Sequence, residues 1–173
     1  MMHSTVLGPT TLWLLVPVRL AIASKSKRKV GITLCALCCA VSVLHWRRPC
    51  KGSPLHMLDR TAAVINFCYL LITSNSILFP IGCLGFYAAA QKYDKCPIWH
   101  LGFRYVGYWW NTFVLTGRNR RPKLAEFVCN STLYWTHAAM LPKTSYTVEC
   151  VIVVAMSILT TRLNLKLYNH YNI

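Results

Sequence analysis

Seven apolar segments follow one another with short loops between them, at about residues 5–24, 30–46, 60–74, 76–91, 97–117, 125–141 and 146–163. Runs that approach the length of a bilayer crossing leave a chain few options. In hydrocarbon every backbone N–H and C=O must be satisfied within a helix or a closed barrel. The alternation of barrel strands is absent, which leaves helices. Composition agrees: 55% of the 173 residues are hydrophobic and only 13% are charged, against about 25% charged in a soluble domain. The sequence predicts an all-α, polytopic transmembrane helical bundle of about seven spans, with residues 1–173 as a single integral membrane domain.

The count hinges on residues 60–91. As one straight helix this stretch would be about 48 Å long, too long for one crossing and short for two. The small polar residues of "TSNS" at 73–76 compete for backbone bonds and mark a turn. Pro80 then falls near a helix start, where it is tolerated. Two short spans are expected here; six spans is the alternative. At the N-terminus, "LWLLVPV" followed by "LAIAS" has the form of a signal-peptide core, but no Lys or Arg precedes it and Arg19 interrupts it. The first segment is expected to stay as a span.

Nineteen Lys and Arg stand against four Asp and Glu, a net charge of +15. In a soluble chain that balance would point to nucleic acid. Here the basic residues cluster in short loops, where they set topology and meet anionic headgroups, so lipid and not nucleic acid is the expected partner. With seven alternating spans, one face carries Lys25, Lys27, Arg28, Lys29, Arg118, Arg120, Arg121, Lys123, Arg162 and Lys166. The other carries Arg47, Arg48, Lys51, Arg60, Lys92, Lys95 and Lys143. The excess on the first face predicts an N-terminus outside and a C-terminus in the cytosol. Most of the nine cysteines, "CALCC" included, lie inside apolar runs and read as small hydrophobes. Cys50 and Cys96 share a face in loops, where a disulfide is open to them if that face is lumenal. The "NST" sequon at 130–132 lies within the sixth segment and is expected to be unused.

The polar residues inside the segments fall mostly at one face. In "SVLHWRRPCKGSPLHMLDR" the second segment ends at Ser42 and His45, and Asp59 stands at the mouth of the third. The fifth begins near His100 and contains Arg104, and the sixth ends just past His137. Ser42 and His45 are three apart and His100 and Arg104 four apart, so each pair shares one side of a helix. Ionisable groups inside spans usually face a bundle interior or a wet cavity. Catalytic zinc takes three protein ligands and one open position. His45, His100 and His137, the other histidine on that face within a span, are the candidate ligands, with His56 assigned to the loop. Asp59 is the candidate general base or ligand-orienting carboxylate, and Ser42 the assisting hydroxyl. Arg104 cannot ligate a metal, since guanidinium offers no lone pair. An Arg104–Asp59 ion pair would replace the metal's charge.

These residues carry a resemblance. "S-V-L-H-W" closing one span, "L-D-R" opening the next and a later "W-H-L-G-F-R-Y" resemble motifs of the CREST superfamily of seven-span membrane proteins, which takes in the alkaline ceramidases and the progestin and adipoQ receptors. The resemblance implies a Ser and a His in one span, an Asp near the next, a later H-x-x-x-H, zinc on the three histidines, and a role as lipid amide hydrolase or receptor. On it, Ser42, His45, Asp59 and His100 take the corresponding places. The chain departs from the pattern in its Ser-to-His spacing, one residue shorter than usual. It also has Arg104 where the second His of the later pair would stand, and that pair lies in the fifth segment instead of the last.

Three functions remain open from sequence. One is a non-enzymatic membrane component, a degenerate CREST-like protein or a subunit alongside other membrane proteins. Another is a zinc-dependent lipid amide hydrolase of the alkaline-ceramidase type. The last is a small anion transporter using Arg19 and Arg104. The expected location is a multi-pass position in a membrane, with the endoplasmic reticulum or Golgi favoured.

Overall fold

The computed structural model describes residues 2–93, 96–117, 124–140 and 145–170, and among these the regular structure is helical throughout. The first segment consists of α1 (Met2–Thr11) and α2 (Leu15–Ala23), joined by a 3-10 turn at Leu12–Leu14. Then come α3 (Lys29–Arg47), α4 (Pro54–Thr73), α5 (Leu78–Lys92), α6 (Pro97–Leu115), α7 (Leu124–Met140) and α8 (Tyr146–His170).

Local chemistry sets the boundaries. Pro17 has no N–H to offer the carbonyl four residues back, and the chain tightens into the 3-10 turn just before it. Pro49 follows Arg48, whose non-helical backbone ends α3. Ser53 caps α4, its hydroxyl accepting the His56 N–H at 3.1 Å, and Pro54 occupies the first helical position. Hence α4 begins six residues before the apolar run, and His56 lies in its first turn and not in a loop. Ser74 leaves α4 in extended backbone, so residues 60–91 form two helices, as "TSNS" predicts. Gly117, at φ +65°, closes α6 in the left-handed region.

Neighbouring segments alternate in direction. Between α3 and α4, Ser42 meets Asp59 and the Cys38 thiol meets the Ala62 carbonyl. Between α5 and α6, Tyr87 meets Phe103 and Phe79 meets Trp110. Between α6 and α7, Trp109 meets Phe127 and the Tyr134 hydroxyl meets the Leu101 carbonyl. Each pair runs antiparallel. Thr10 meets Arg104 and Trp13 meets Tyr108, so the first segment runs parallel to α6. The end of α3 and the starts of α4 and α6 therefore share one end of the bundle, with the end of α7 and the start of α8.

Three helices are long and apolar enough to cross a membrane: α3, α4 and residues Tyr146–Leu167 of α8, with Leu7–Ala23 a shorter apolar helix. The expectation of seven spans is therefore not supported, although seven helical segments stand among the described residues. At 15 residues, α5 covers about 22 Å, short of the roughly 30 Å of hydrocarbon. α7 has 17 residues and includes Glu126 and Asn130. α6 has the length, but His100, Arg104 and Asn111 dilute its apolar character.

Many polar side chains are buried beside the apolar core, while large apolar ones face outward. Thr10, Thr11, Asn66, Asn111, Asn130, Ser157, Thr160, Thr161 and Asn164 are buried, whereas Ile72 is 83% exposed and Val64, Ile81, Leu84, Val151 and Leu159 also face outward. An apolar exterior around a polar seam suits lipid as solvent, since burial in water would place these groups the other way. In lipid, helices associate through close packing and interhelical hydrogen bonds. The Asn130 and Asn164 amides bond in both directions between α7 and α8, at 3.1 and 3.3 Å. Asn130→Ala is expected to destabilise by about 1–2 kcal/mol, because the Asn164 amide is left unpaired. A double-mutant cycle with Asn164→Ala, read by unfolding in mild detergent, should return a coupling of about 0.5–1.5 kcal/mol. Purely additive losses would contradict it.

Candidate functional site

The histidine-bearing end of the bundle is built on Trp46, in the last turn of α3. Its ring centroid lies 5.3 Å from that of His45 and 6.1 Å from that of His100, both edge-on. The Arg104 guanidinium lies 5.2 Å from the Trp46 ring centroid, a cation–π arrangement. Nη1 of Arg104 also donates to Thr10 Oγ1 at 2.9 Å, tying α6 to α1. Helical spacing places His100 and Arg104 on one side of α6, and that side faces the Trp46 indole.

Beside this lies the pair the sequence singles out. The Ser42 hydroxyl donates to Asp59 Oδ1 across the α3–α4 contact. His45, one turn beyond Ser42, is 4% exposed. Its ring stacks on His56 of α4, with centroids 5.1 Å apart and planes at 30°. His56 Nδ1 accepts the Gly52 N–H at 3.0 Å, so the loop entering α4 fixes this ring. His45 lies within electrostatic reach of Asp59, His56 and Arg104. Its Nδ1 is buried and has no hydrogen-bond partner among the described residues.

Ser42, His45, Asp59, His100 and Arg104 thus lie at one end of the bundle. His137 reaches that end but joins a different set. Its Nδ1 accepts the Trp13 indole N–H at 3.2 Å, and its Nε2 lies 3.9 Å from Glu149 Oε2. Among the described residues no group of three His, Cys, Asp or Glu is placed to hold a metal ion. His137, engaged with Trp13 and Glu149, is not gathered with His45 and His100 in this arrangement. Nor does an ion pair join Arg104 to Asp59 among the described residues. Asp59 receives the Ser42 hydroxyl, and Arg104 is taken up by Thr10 and Trp46.

Several contributors were passed over in the sequence reading: Thr10, Trp13, Trp46, His56, Tyr146 and Glu149. The Tyr146 hydroxyl donates to the Val43 carbonyl at 2.6 Å, tying α8 to α3. Glu149 carries the same signal as Asp59, a scarce acid at the mouth of an apolar run, and is 4% exposed. Thr10 and Trp13 carry no such signal, because only tertiary packing brings them to residues about ninety or more positions away.

The cysteines behave as small interface groups. All nine are free, the exposed Cys50 and Cys96 included. Cys35, Cys38 and Cys39 are buried, and their thiols meet the carbonyls of Leu14, Ala62 and Thr11 in neighbouring segments. Asn130, the acceptor of the sequon, is 2% exposed and bonded to Asn164.

Comparison with family models, with curated proteins and with solved structures finds no match to this chain. The CREST resemblance therefore stands on its short motifs alone.

Proposed function

We propose that the chain is a non-catalytic, multi-pass membrane component that works as a subunit or scaffold within a larger membrane assembly. The observation that carries this reading is how the polar residues at the histidine end are used. Ser42–Asp59 ties α3 to α4, and Arg104 ties α6 to α1 and α3. Trp13–His137–Glu149 ties the first segment to α7 and α8, and Tyr146 ties α8 to α3. Such interhelical bonds hold a bundle in one arrangement in lipid. The apolar window of α4 is only 17% buried, which leaves a face that neighbouring lipid or a partner helix can cover. Extraction in mild detergent should give a particle well above the 19.7 kDa chain with its bound detergent, judged by light scattering. An isolated monomer would overturn the subunit reading.

One observation favours the lipid amide hydrolase as a second reading: the buried Nδ1 of His45, without a partner among the described residues, beside the Ser42–Asp59 pair. Metal analysis of the purified protein separates the two. The scaffold reading expects no stoichiometric zinc; one zinc per chain, lost in His45→Ala, would replace it with the hydrolase.

A further inference from the structure

At the end of the bundle opposite the histidines, a cavity of about 360 Å³ lies between Arg28, the 73–76 linker and the end of α6. Arg28, Thr73, Ser74, Asn75 and Ser76 give it polar lining, Phe113 and Val114 apolar lining, and none of the described lining residues is acidic. We propose that this cavity binds the phosphoryl headgroup of an anionic membrane lipid.

Position is the first argument. Arg28 immediately precedes α3, and Thr73 is the last residue of α4. These are two of the helices long enough to cross a membrane, and they pack antiparallel, with Gly31 against Tyr69 near this end. A membrane crossed by these two helices would put the cavity where their apolar stretches stop, near the depth of lipid phosphates. A site there meets a headgroup without extracting the lipid, and its Phe113–Val114 lining suits the apolar part below the phosphate.

Preorganisation is the second. The Ser26 hydroxyl donates to the Leu115 carbonyl at 2.6 Å and accepts the Arg28 backbone N–H at 3.3 Å. Both bonds hold the loop carrying Arg28 against the end of α6, so the guanidinium enters the site from an anchored backbone. In the linker, Ser74 Oγ accepts the Ser76 N–H at 3.2 Å, which fixes the turn. α5 starts just beyond, and its cap residue Ile77 makes no side-chain hydrogen bond to the first turn. Its leading N–H groups add positive potential at this wall.

The chemistry matches a phosphoryl anion. A guanidinium offers a planar fork of donors to phosphate oxygens, and hydroxyl and amide side chains supply further hydrogen bonds. Lys25, Lys27 and Lys29 are exposed alongside and raise the local concentration of anionic lipid within a Debye length. The headgroup of a zwitterionic lipid would bring its cation up to Arg28.

The test uses the full chain in phosphatidylcholine nanodiscs doped with phosphatidylinositol, with retained lipid read by native mass spectrometry. One phosphatidylinositol per chain is expected to survive delipidation. Arg28→Gln should lower its retention about tenfold, the loss of one charge-assisted contact. Lys27→Gln removes the same charge from an exposed neighbour and should change it less than about twofold. Asn75→Asp, an exposed linker position that tolerates a carboxylate, should weaken retention as Arg28→Gln does. Equal losses from Arg28→Gln and Lys27→Gln would show diffuse surface attraction and overturn the proposal, as would no phosphatidylinositol retained. Inorganic phosphate that fully displaces the lipid would overturn the lipid assignment in favour of a free anion. Because the measurement is made on the isolated chain, its result is independent of whether the chain assembles with partners.

Discussion

Trp13→Ala is expected to lower stability in mild detergent by about 3–5 kcal/mol, the range for emptying a buried aromatic site. Trp13 is 1% exposed at the centre of the largest apolar cluster, with Val16, Leu20, Tyr108 and Tyr134 around it. Its ring meets Tyr108 and Tyr134 edge-on, with centroids 6.2 and 5.6 Å away. Truncation leaves a cavity and also strands His137 Nδ1, which loses the indole N–H at 3.2 Å. Trp13→Phe separates the two effects. It restores most of the ring packing and removes only the hydrogen bond, for an expected loss of about 1 kcal/mol. Reversible unfolding of both variants by increasing SDS in mixed micelles measures the difference. Equal losses would mean that the bond, and not the packing, dominates.

Gly31→Leu is expected to be a strongly disruptive enlargement, costing about 1–3 kcal/mol through overpacking. Gly31 is buried where α3 meets α4 and α6, and a Cβ there would overlap the Tyr69 ring and the Leu115 side chain. Leu115 is buried and Tyr69 partly buried in one apolar cluster with Val18, Ala21 and Cys35, so both must shift to admit a larger side chain. Close helix approach in lipid depends on such small residues, because packing replaces the hydrophobic effect as the cohesive force. Gly85, with nothing within 4 Å of a built Cβ, is the matched control. Gly85→Leu should change stability by less than about 0.5 kcal/mol, the range of surface substitutions. If the two substitutions behave alike, the close contact at Gly31 carries no weight. The same substitution should also reduce chain recovered in folded form, read by size-exclusion profile.

The helical segments were legible because hydrophobic runs and breakers act locally. "TSNS", Pro49 and Gly117 each end a helix by chemistry that needs no tertiary contact. The start of α4 was missed by six residues, because Ser53 and Pro54 read as loop when only hydropathy is followed. That error moved His56 out of the helix and hid its stack on His45. Counting spans failed for a related reason. An apolar segment in a bundle can be short or polar-seamed, as α5 and α7 are, and still look like a crossing when only its edges are marked.

The candidate site was legible to the extent that parity controls it. Alternating segments put His45, Asp59, His100 and Arg104 at one end, and helical spacing paired them. Their partners were not legible. Trp46 carries no polar signal in the sequence, yet His45, His100 and Arg104 pack on its ring. His137 has the right parity but the wrong side of its helix, since the rotation of α7 turns it to Trp13 and Glu149.

By itself, then, the sequence determined the helical class, the number of helical segments and most of the breaks between them, and the alternation of direction. All of these follow from local periodicity, breakers and charge. Tertiary structure decided which neighbour each polar group takes: Thr10 and Trp46 for Arg104, Ser42 for Asp59, Trp13 and Glu149 for His137. The reason is rotational. A helix offers a full turn of directions at the same depth, and only the packing of side chains such as Trp13, Tyr69 and Trp110 against other helices selects one of them.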